Sequence, residues 1–375
     1  MILYNNDIAK LKEIISSHTK TFLLLDENTE KYCLKIINSI DLLKSNTIKI
    51  IIPSGEQHKN IETVQYIWSQ LVENHADRKS LLINIGGGMV TDIGGFAASC
   101  YQRGIDFINI PTTLLGMIDA SIGGKTGIDF QGLKNQIGVF SQPLAVMILF
   151  EFLETLPKRE LLSGLAEIIK YGFIVDKSFL EVKLQNNPVN LVNPVCFLRR
   201  QESEVRSQNI YNPENLVNPV YIKKAIDVKN EITCHDATEQ GRRKILNFGH
   251  TVGHAIETYL IENQQEIRHG EGVAMGMLSA LYLSEKFCGL KHEITLDYQD
   301  LYAKTFNRFS LNDIPVDALL EIMRHDKKNE GGDIRFVLIE DIGKPVYDIV
   351  VKLEDIIDSI TYLIDYLNDA NYWGK

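Results

Sequence analysis

Four residues of the chain have the types and the spacing of metal ligands. His250 and His254 stand four positions apart in NFGHTVGH, which puts them on one face of a helix. His269 follows in RHGEG, and Glu167 interrupts the apolar stretch LAEIIKYG, where a carboxylate is costly without a partner. A catalytic Zn²⁺ takes three nitrogen or oxygen ligands and keeps one position open. We therefore predict a metal site built from three of these four residues, in a pattern that lacks the glutamate of HExxH zinc proteases.

A glycine-rich segment is a candidate phosphate-binding turn. GGGMVTDIGG directly follows the apolar run 81–85. Its glycines would let a phosphate approach the backbone, and a helix that starts there would offer free N–H groups. Thr91 takes the third glycine position of GxGxxG, so a tight strand–helix turn without a ligand is the alternative. Asp26 in LLLDEN, and Glu56 and Lys59 in SGEQHK, follow two other apolar runs. Because ligands bind beyond the carboxyl ends of parallel strands, these residues predict a dinucleotide site.

Basic and amide side chains scattered along the chain are candidates for binding an anionic substrate. A glycine pair precedes Lys125 in DASIGGKTG, but this segment does not match the P-loop pattern GxxxxGK[ST]. Taken alone, each such residue is more often a solvated surface charge. Together with a metal and a nucleotide, they indicate an anionic substrate in a cleft between two domains. The candidates are Arg103, Lys125, Lys134, Asn135, Lys229, Arg243, Asn247 and the lysines of Asp326-Lys327-Lys328.

Two kinds of secondary-structure pattern must position these residues. Short apolar runs alternate with helical stretches such as 61–74 in the first part, which is typical of a parallel α/β sheet. Beyond about Pro157 helical periodicity dominates, and 335–339 is the best strand-like run. We predict an α/β plus all-α fold, with a parallel α/β domain at 1–157 and a mostly α-helical domain at 158–375. The predicted strands are 21–25, 48–52, 81–85, 107–110 and 146–149, and the later helices are 160–173, 222–234, 245–260, 271–288 and 353–367.

Composition places the chain among ordinary globular proteins. Its 375 residues suggest about two domains, and 45% hydrophobic with 23% charged residues excludes a disordered or collagen-like chain. With 39 basic and 49 acidic residues the net charge is −10, which argues against nucleic acid or an anionic membrane as partner. The five scattered cysteines form no CxxC pair and are expected to be reduced. No signal peptide or membrane-spanning run is found, so we predict a cytoplasmic enzyme.

One near-repeat has no place in this scheme. NPVNLVNPV at 187–195 returns as NPENLVNPV at 212–220, a lag of 25 residues. Two copies are too few for a solenoid. We interpret them as a tandem duplication in a surface connection, with a dedicated binding loop as the alternative.

As a set, the motifs resemble the 3-dehydroquinate synthase family, in collinear order from about Asp26 to Gly343. The blocks that carry the resemblance are GGGMVTDIGGF, IPTTLL, DASIGGKTG, LKNQIG, LAEIIKYG, EQGRRKILNFGHTVGHAIE, HGEGVAMGM and HDKKNEGG. The resemblance implies a Rossmann-like domain, an α-helical domain, and a homodimer in which Arg103 reaches the substrate phosphate of the neighbouring subunit. Around Asp119 the chain departs from the family, because Gly116, Met117 and Ala120 replace the more usual Ala, Gln and Ser.

The resemblance also implies roles for individual residues. Glu167, His250 and His269 would bind Zn²⁺, with Co²⁺ as the alternative ion, and His254 would face the substrate rather than the metal. The residues matched to NAD contacts are Asp26, Glu56, Lys59, Gly88, Asp92, Thr112, Thr113, Lys125, Lys134 and Thr155. Those matched to the substrate site are Asp119, Lys125, Asn135, Lys170, Lys229, Arg243, Asn247, His254 and one lysine of the DKK segment, taken as Lys328.

The implied reaction belongs to the shikimate pathway. It converts 3-deoxy-D-arabino-heptulosonate 7-phosphate to 3-dehydroquinate and phosphate, by transient oxidation with NAD, phosphate elimination, re-reduction and aldol closure. Three alternatives remain open. A cyclase of the deoxy-inosose or valiolone synthase type would act on substrates without the carboxylate. A metal-dependent polyol dehydrogenase would release NADH, and a binding protein on the same scaffold would have lost its metal or base residues.

Overall fold

The computed structural model describes residues 1–43, 46–131, 133–181, 219–306, 309, 311, 314–324 and 333–369. The chain divides into two compact units, Met1–Leu161 with Lys229–Thr238, and Leu162–Val228 with Glu239–Lys375. Lys328, Cys196 and the duplicated segments up to residue 218 lie outside the described residues. No described helix is both long enough and apolar enough to cross a membrane.

A six-stranded sheet forms the core of the first unit. Every strand pair in it is parallel, in the order β1-β8-β5-β4-β2-β3, which confirms the predicted parallel sheet. All five predicted strands are present, each within one residue of its predicted ends, and the short β1 was not predicted. The strands are β1 Ile2–Tyr4, β2 Thr21–Asp26, β3 Ile48–Ile52, β4 Leu81–Gly86, β5 Asp106–Pro111 and β8 Ala145–Ile148.

Helices α1 to α4 of this unit are Ile8–Ser16, Glu27–Ser39, Ile61–Glu73 and Gly88–Cys100. Two glycines let α4 lie close against its neighbours. A Cβ added to Gly94 would be 2.1 Å from Asn84 Oδ1, and one on Gly95 would be 2.5 Å from Thr126 Cγ2. Gly94 and Gly95, at the end of GGGMVTDIGG, therefore allow close packing of α4. The residues at the start of α4 remain candidates for binding a phosphate.

An antiparallel hairpin lies between β5 and β8 in the chain and was not predicted. It consists of β6, Lys125–Phe130, and β7, Leu133–Phe140. The hairpin carries three of the predicted site residues, Lys125, Lys134 and Asn135. Its strands mix glycine, charged and apolar residues, so neither a continuous apolar run nor a strict alternation marks them in the sequence.

The second unit is mostly helical, as predicted, and adds one small sheet. Its two strands, β9 Arg335–Asp341 and β10 Lys344–Val350, pair antiparallel. The remaining described α-helices of the chain are α5 Lys158–Ile174, α6 Ser178–Glu181, α7 Pro219–His235, α8 His250–Glu262, α9 His269–Cys288, α10 His292–Thr305, α11 Val316–Arg324 and α12 Leu353–Asn368. From Lys229 onward, α7 belongs to the first unit.

The prediction of one helix over 245–260 is wrong. Residues Arg242–Asn247 form a 3₁₀ helix, and α8 starts only at His250. Gly249 between them has φ +76°, a left-handed conformation that glycine adopts without steric cost. The apolar spacing continues across this break, which is why the sequence pattern did not reveal it.

Glycines bring the helices of the second unit into backbone contact. A Cβ on Gly253 of α8 would be 2.7 Å from the carbonyl oxygen of Gly272 in α9. A Cβ on Gly276 would be 1.9 Å from the carbonyl oxygen of Gly249. A Cβ on Gly270 would be 2.0 Å from the carbonyl oxygen of Ser163 in α5. Close backbone packing of this kind fixes the three helices relative to one another.

Candidate active site

The four predicted metal ligands lie together in the second unit. Glu167 is 0% exposed, and its Oε1 is 3.5 Å from His250 Nε2 and 3.5 Å from His269 Nε2. One nitrogen of each of His250, His254 and His269 lies within 4.8 Å of the others. Helices α5, α8 and α9 each supply at least one of these residues: Glu167 lies in the middle of α5, whereas His250 and His269 start α8 and α9.

The two histidines nearest to Glu167 both turn Nε2 toward it. Nδ1 of His250 is 3.0 Å from the carbonyl oxygen of Phe248, and Nδ1 of His269 is 3.2 Å from Oε2 of Glu257. Carbonyl and carboxylate oxygens only accept hydrogen bonds, so both Nδ1 atoms act as donors. Nε2 is then the nitrogen left for a cation.

The residues present fit a divalent metal ion. Tetrahedral ligands at about 2.1 Å from Zn²⁺ stand roughly 3.4 Å apart, close to the spacing from Glu167 Oε1 to the two Nε2 atoms. Within the described part of the chain, neither carboxylate oxygen of Glu167 accepts a hydrogen bond of normal geometry, although Oε2 is ion-paired with the buried ammonium of Lys170. Lys170 compensates Oε2, whereas a buried Oε1 without a hydrogen bond is unfavourable unless a second cation lies beside it.

The electrostatics of the cluster also favour a cation. Burial lowers the pKa of His269, but the carboxylates of Glu257 and Glu167 outweigh this effect and raise the pKa to about 9. The same negative potential that stabilises a proton there would stabilise a metal ion. Glu257 was missed by the sequence analysis, although its position seven residues after His250 places it on the same face of α8.

In the first unit the predicted nucleotide residues gather at the carboxyl edge of the sheet. Asp26 ends β2, Gly88 starts α4 just after β4, and Thr112 follows β5. These three strands are adjacent, and the Thr112 N–H donates to the Gly86 carbonyl at 2.9 Å. Asp26 also caps α2, because its Oδ1 accepts from the Thr29 N–H at 2.7 Å.

The buried Lys59 is the centre of a polar cluster at this edge. Its ammonium donates to Asp92 Oδ2 at 2.7 Å and to Asn135 Oδ1 at 2.6 Å, and Glu56 Oε1 is 3.7 Å away. Burial lowers the pKa of Lys59, but the carboxylates of Asp92, Glu56 and Asp129 raise it above its usual value. Lys59 therefore carries its charge at neutral pH and contacts three other predicted residues, Glu56, Asp92 and Asn135.

Asp119 and Lys229 form another ion pair of the first unit. Lys229 Nζ lies 2.6 Å from Asp119 Oδ1, and Asp119 belongs to the π-helical turn Gly116–Ala120 that follows β5. A Cβ on Gly116 would be 3.0 Å from Thr113 Oγ1, so the smaller residue at this position matches a tight turn beside Thr113. Such π-turns are frequent at functional sites.

Other predicted residues are placed separately. In the second unit, Arg243 is buried in the 3₁₀ helix Arg242–Asn247, and Asn247 Nδ2 donates to Glu239 Oε1 at 2.7 Å. Lys125 and Lys134 lie on the hairpin, and Thr155 follows a 3₁₀ turn after β8. Arg103 is exposed, has φ +69°, and makes no hydrogen bond or ion pair within the described part of the chain.

Comparison with known proteins identifies the family. The model described as 3-dehydroquinate synthase N-terminal matches residues 49–163, and the one described as 3-dehydroquinate synthase C-terminal matches residues 164–329. The chain is 39% identical over 360 residues to the 3-dehydroquinate synthase of Parabacteroides distasonis, covering 94% of each chain. It is 37% identical over 358 residues to that of Campylobacter jejuni subsp. doylei, covering 95% of this chain and 96% of the relative.

Solved structures share the fold at lower identity. A 2-deoxy-scyllo-inosose synthase complexed with carbaglucose-6-phosphate, NAD⁺ and Co²⁺ superposes with a TM-score of 0.75 at 22% identity, covering 96% of both chains. The 2-epi-5-epi-valiolone synthase of Streptomyces hygroscopicus, with NAD⁺ and Zn²⁺ bound, gives 0.80 at 22% identity, covering 97% of this chain and 96% of that one. The family models span most of the chain, and the more similar relatives carry one enzyme name. The chain therefore belongs to the 3-dehydroquinate synthase family.

Proposed function

We propose that the chain converts 3-deoxy-D-arabino-heptulosonate 7-phosphate to 3-dehydroquinate and phosphate, using NAD⁺ and a divalent metal ion. The observation that carries this proposal is the cluster of Glu167, His250, His254 and His269, which has the donor set of a zinc site and lies in the matched family region. Two proteins of the same fold bind NAD⁺ together with Co²⁺ or Zn²⁺, which supports both cofactors.

In this proposal Glu167, His250 and His269 hold the metal, and His254 faces the substrate. The two ligand histidines each lie with Nε2 at 3.5 Å from Glu167 Oε1, which favours this set over the three histidines alone. Bound NAD⁺ accepts and returns a hydride, and the metal polarises substrate oxygens. The nucleotide would lie along the sheet edge marked by Asp26 and Lys59.

The remaining polar residues bind and orient the anionic substrate. Arg243 presents a planar guanidinium that can hold a carboxylate through two parallel hydrogen bonds. Lys170 and Lys229 are buried ammonium groups, held beside Glu167 and Asp119 respectively. Their fixed positions allow them to donate to substrate oxygens with little loss of side-chain entropy. Asn135 keeps Lys59 in place, and Lys125 supplies a further cation.

The test supplies the heptulosonate phosphate with substoichiometric NAD⁺ and Zn²⁺, and follows phosphate and 3-dehydroquinate. We expect both products in equal amounts and many turnovers for each NAD⁺. Stoichiometric NADH without phosphate would indicate a polyol dehydrogenase instead. Turnover only of a hexose or heptulose phosphate that lacks the carboxylate would indicate a cyclase of the deoxy-inosose or valiolone type. No reaction with any of these substrates would contradict an enzymatic function.

Lys59→Met is expected to weaken NAD⁺ binding about tenfold or more. Without the ammonium of Lys59, the carboxylates of Glu56, Asp92 and Asp129 would repel the diphosphate group of NAD⁺. Calorimetric titration with NAD⁺ measures the effect. Lys49→Met is the matched control, since Lys49 is an exposed lysine of β3 that lies 3.9 Å from Glu30. Exposed ion pairs of this kind contribute little, so its Kd should stay unchanged. An unchanged Kd for Lys59→Met would contradict the assigned role.

We further propose a homodimer in which Arg103 reaches the neighbouring subunit's substrate. The hairpin supports this proposal, because β7 exposes Ile137, Val139 and Phe140, the last at 55%. Contiguous exposed apolar side chains on a hairpin are typical of an interface. In the same unit, the exposed Arg103 has no partner of its own within the described residues.

Phe140→Glu is therefore expected to convert the dimer to monomers, as measured by analytical ultracentrifugation. The control Val72→Glu changes another exposed apolar residue, on α3, and should leave the dimer intact.

Mixing Arg103→Ala with Glu167→Gln subunits tests whether Arg103 acts in the neighbouring subunit's site. After random exchange of equal amounts, about half of the dimers contain one subunit of each kind. Each such dimer has one intact site of two, so about a quarter of wild-type activity should return. No recovery would show that Arg103 does not act across the dimer.

Two further sequence predictions enter the proposal unchanged. The first is the division into domains 1–157 and 158–375. The second is a cytoplasmic location, which is consistent with four free cysteines, Cys33, Cys100, Cys234 and Cys288, in the described part of the chain.

A further inference from the structure

Glu257 is a buried carboxylate to which neither the motifs nor the resemblance gave a role. It is 3% exposed and lies on α8, seven residues after His250 and three after His254. All three side chains are thus on one face of the helix. Glu257 Oε2 is 3.2 Å from Nδ1 of His269, which belongs to the neighbouring helix α9.

The two proposed histidine ligands differ in what holds their second nitrogen. Nδ1 of His250 donates to a neutral backbone carbonyl, that of Phe248. Nδ1 of His269 donates to a carboxylate. A charged acceptor makes the stronger hydrogen bond and adds electron density to the ring, so the opposite nitrogen becomes a better donor to a metal.

We propose that Glu257 is a positioning residue of the metal site. It fixes the proton of His269 on Nδ1, sets the plane of the ring, and directs the Nε2 lone pair toward the space beside Glu167. This inference rests on the metal site proposed above. It adds a residue that acts on the metal site through His269.

Metal affinity without substrate is the direct test. The metal-free full-length protein, wild-type or variant, is titrated with Co²⁺ alone in competition with a chelator. The d–d absorption of the bound Co²⁺ is recorded. Glu257→Gln keeps the shape and a carbonyl acceptor but loses the charge, whereas Glu257→Ala loses both. We expect Co²⁺ affinity to fall about tenfold for the glutamine variant and about a hundredfold for the alanine variant, with a changed absorption envelope.

A matched control separates this role from a general effect of losing a carboxylate–histidine contact. Glu285→Gln removes the charge of a different glutamate, which lies on α9 apart from the metal candidates. Its Oε2 is 3.0 Å from Nδ1 of His292. The Co²⁺ affinity and spectrum of this variant should equal those of the wild type. Denaturation midpoints of the metal-free proteins show whether a loss of affinity is only a loss of folding.

The outcomes distinguish this inference from the proposed function. If the wild type binds Co²⁺ and both Glu257 variants bind it within twofold of the wild type with the same spectrum, Glu257 has no positioning role. If the wild type binds no Co²⁺ at all, the metal site fails, and the role of Glu257 fails with it. If Glu257→Ala does not fold, the near-isosteric Glu257→Gln still decides the question.

Discussion

Exchanging Glu167 for glutamine is expected to remove the bound metal and to lower kcat/KM by about 10³-fold or more, since loss of several kcal/mol of charge stabilisation corresponds to such a factor. Glutamine keeps the volume of the side chain but replaces an anionic oxygen by a neutral one. The two histidines alone then supply fewer than the three ligands that a catalytic zinc ion needs.

The metal-free form of this variant should also lose stability. Lys170 is buried, and Glu167 is the carboxylate beside it. Removing one partner of a buried ion pair leaves an uncompensated charge, which costs about 3–5 kcal/mol. Chemical denaturation with a metal-free wild type as reference measures this cost separately from the loss of metal.

Elemental analysis and Co²⁺ titration measure the metal itself. Glu262→Gln is the control, because it removes the same charge from an exposed position at the end of α8. It should keep full metal content and activity. Retention of metal and of more than about a tenth of the activity in Glu167→Gln would show that the ligand assignment is wrong. His254→Ala, expected to retain metal, then decides between Glu167 and His254 as the third ligand.

The sequence predicted those parts of the fold that depend on local apolar patterns. Continuous runs such as 48–52 and 81–85 become buried parallel strands, because such strands are covered on both faces. The four-residue spacing of His250 and His254 was sufficient to place both on one helix face. Glu167 was recognised because a carboxylate in an apolar helix must have a compensating partner.

Other features depend on contacts that local patterns do not encode. The hairpin of β6 and β7 is half exposed, so its strands carry no clear periodicity. The break at Gly249 depends on a backbone conformation, and glycine permits that conformation without requiring it. Glu257 resembles any surface glutamate of a helix until α9 packs against that face and brings His269 to it. Resemblance to a family supplied site residues, such as Asp119 and Thr155, that spacing alone did not select.

The close approach of α8 and α9 leads to the second large effect, that of Gly276→Ala. A methyl group at Gly276 would lie 1.9 Å from the Gly249 carbonyl oxygen and 2.7 Å from the Gly253 nitrogen. Both are backbone atoms, so no side-chain rotation can relieve the overlap. Overpacking of a core costs about 1–3 kcal/mol, and we expect about 3 kcal/mol or more because here a helix must move.

The displacement should also reach the metal site. Gly249 precedes His250 directly and has φ +76°, so a shift of its carbonyl changes where α8 begins and where His250 points. A metal site loses affinity when a ligand moves by a fraction of an ångström, because bond lengths vary by only about 0.2 Å. We therefore expect Gly276→Ala to weaken Co²⁺ binding even under conditions where the variant remains folded.

Gly289→Ala provides the control for adding a methyl group at a glycine of the same helix. Gly289 caps α9 with φ +70°, and a Cβ there would have no atom within 4 Å. Its cost should be about 1–2 kcal/mol from the left-handed backbone alone, with unchanged Co²⁺ affinity. Denaturation midpoints and Co²⁺ titrations of the two variants compare a methyl group that meets the neighbouring backbone with one that meets only space. Equal stability and equal affinity in both would mean that the glycine contacts between α8 and α9 do not position the metal ligands.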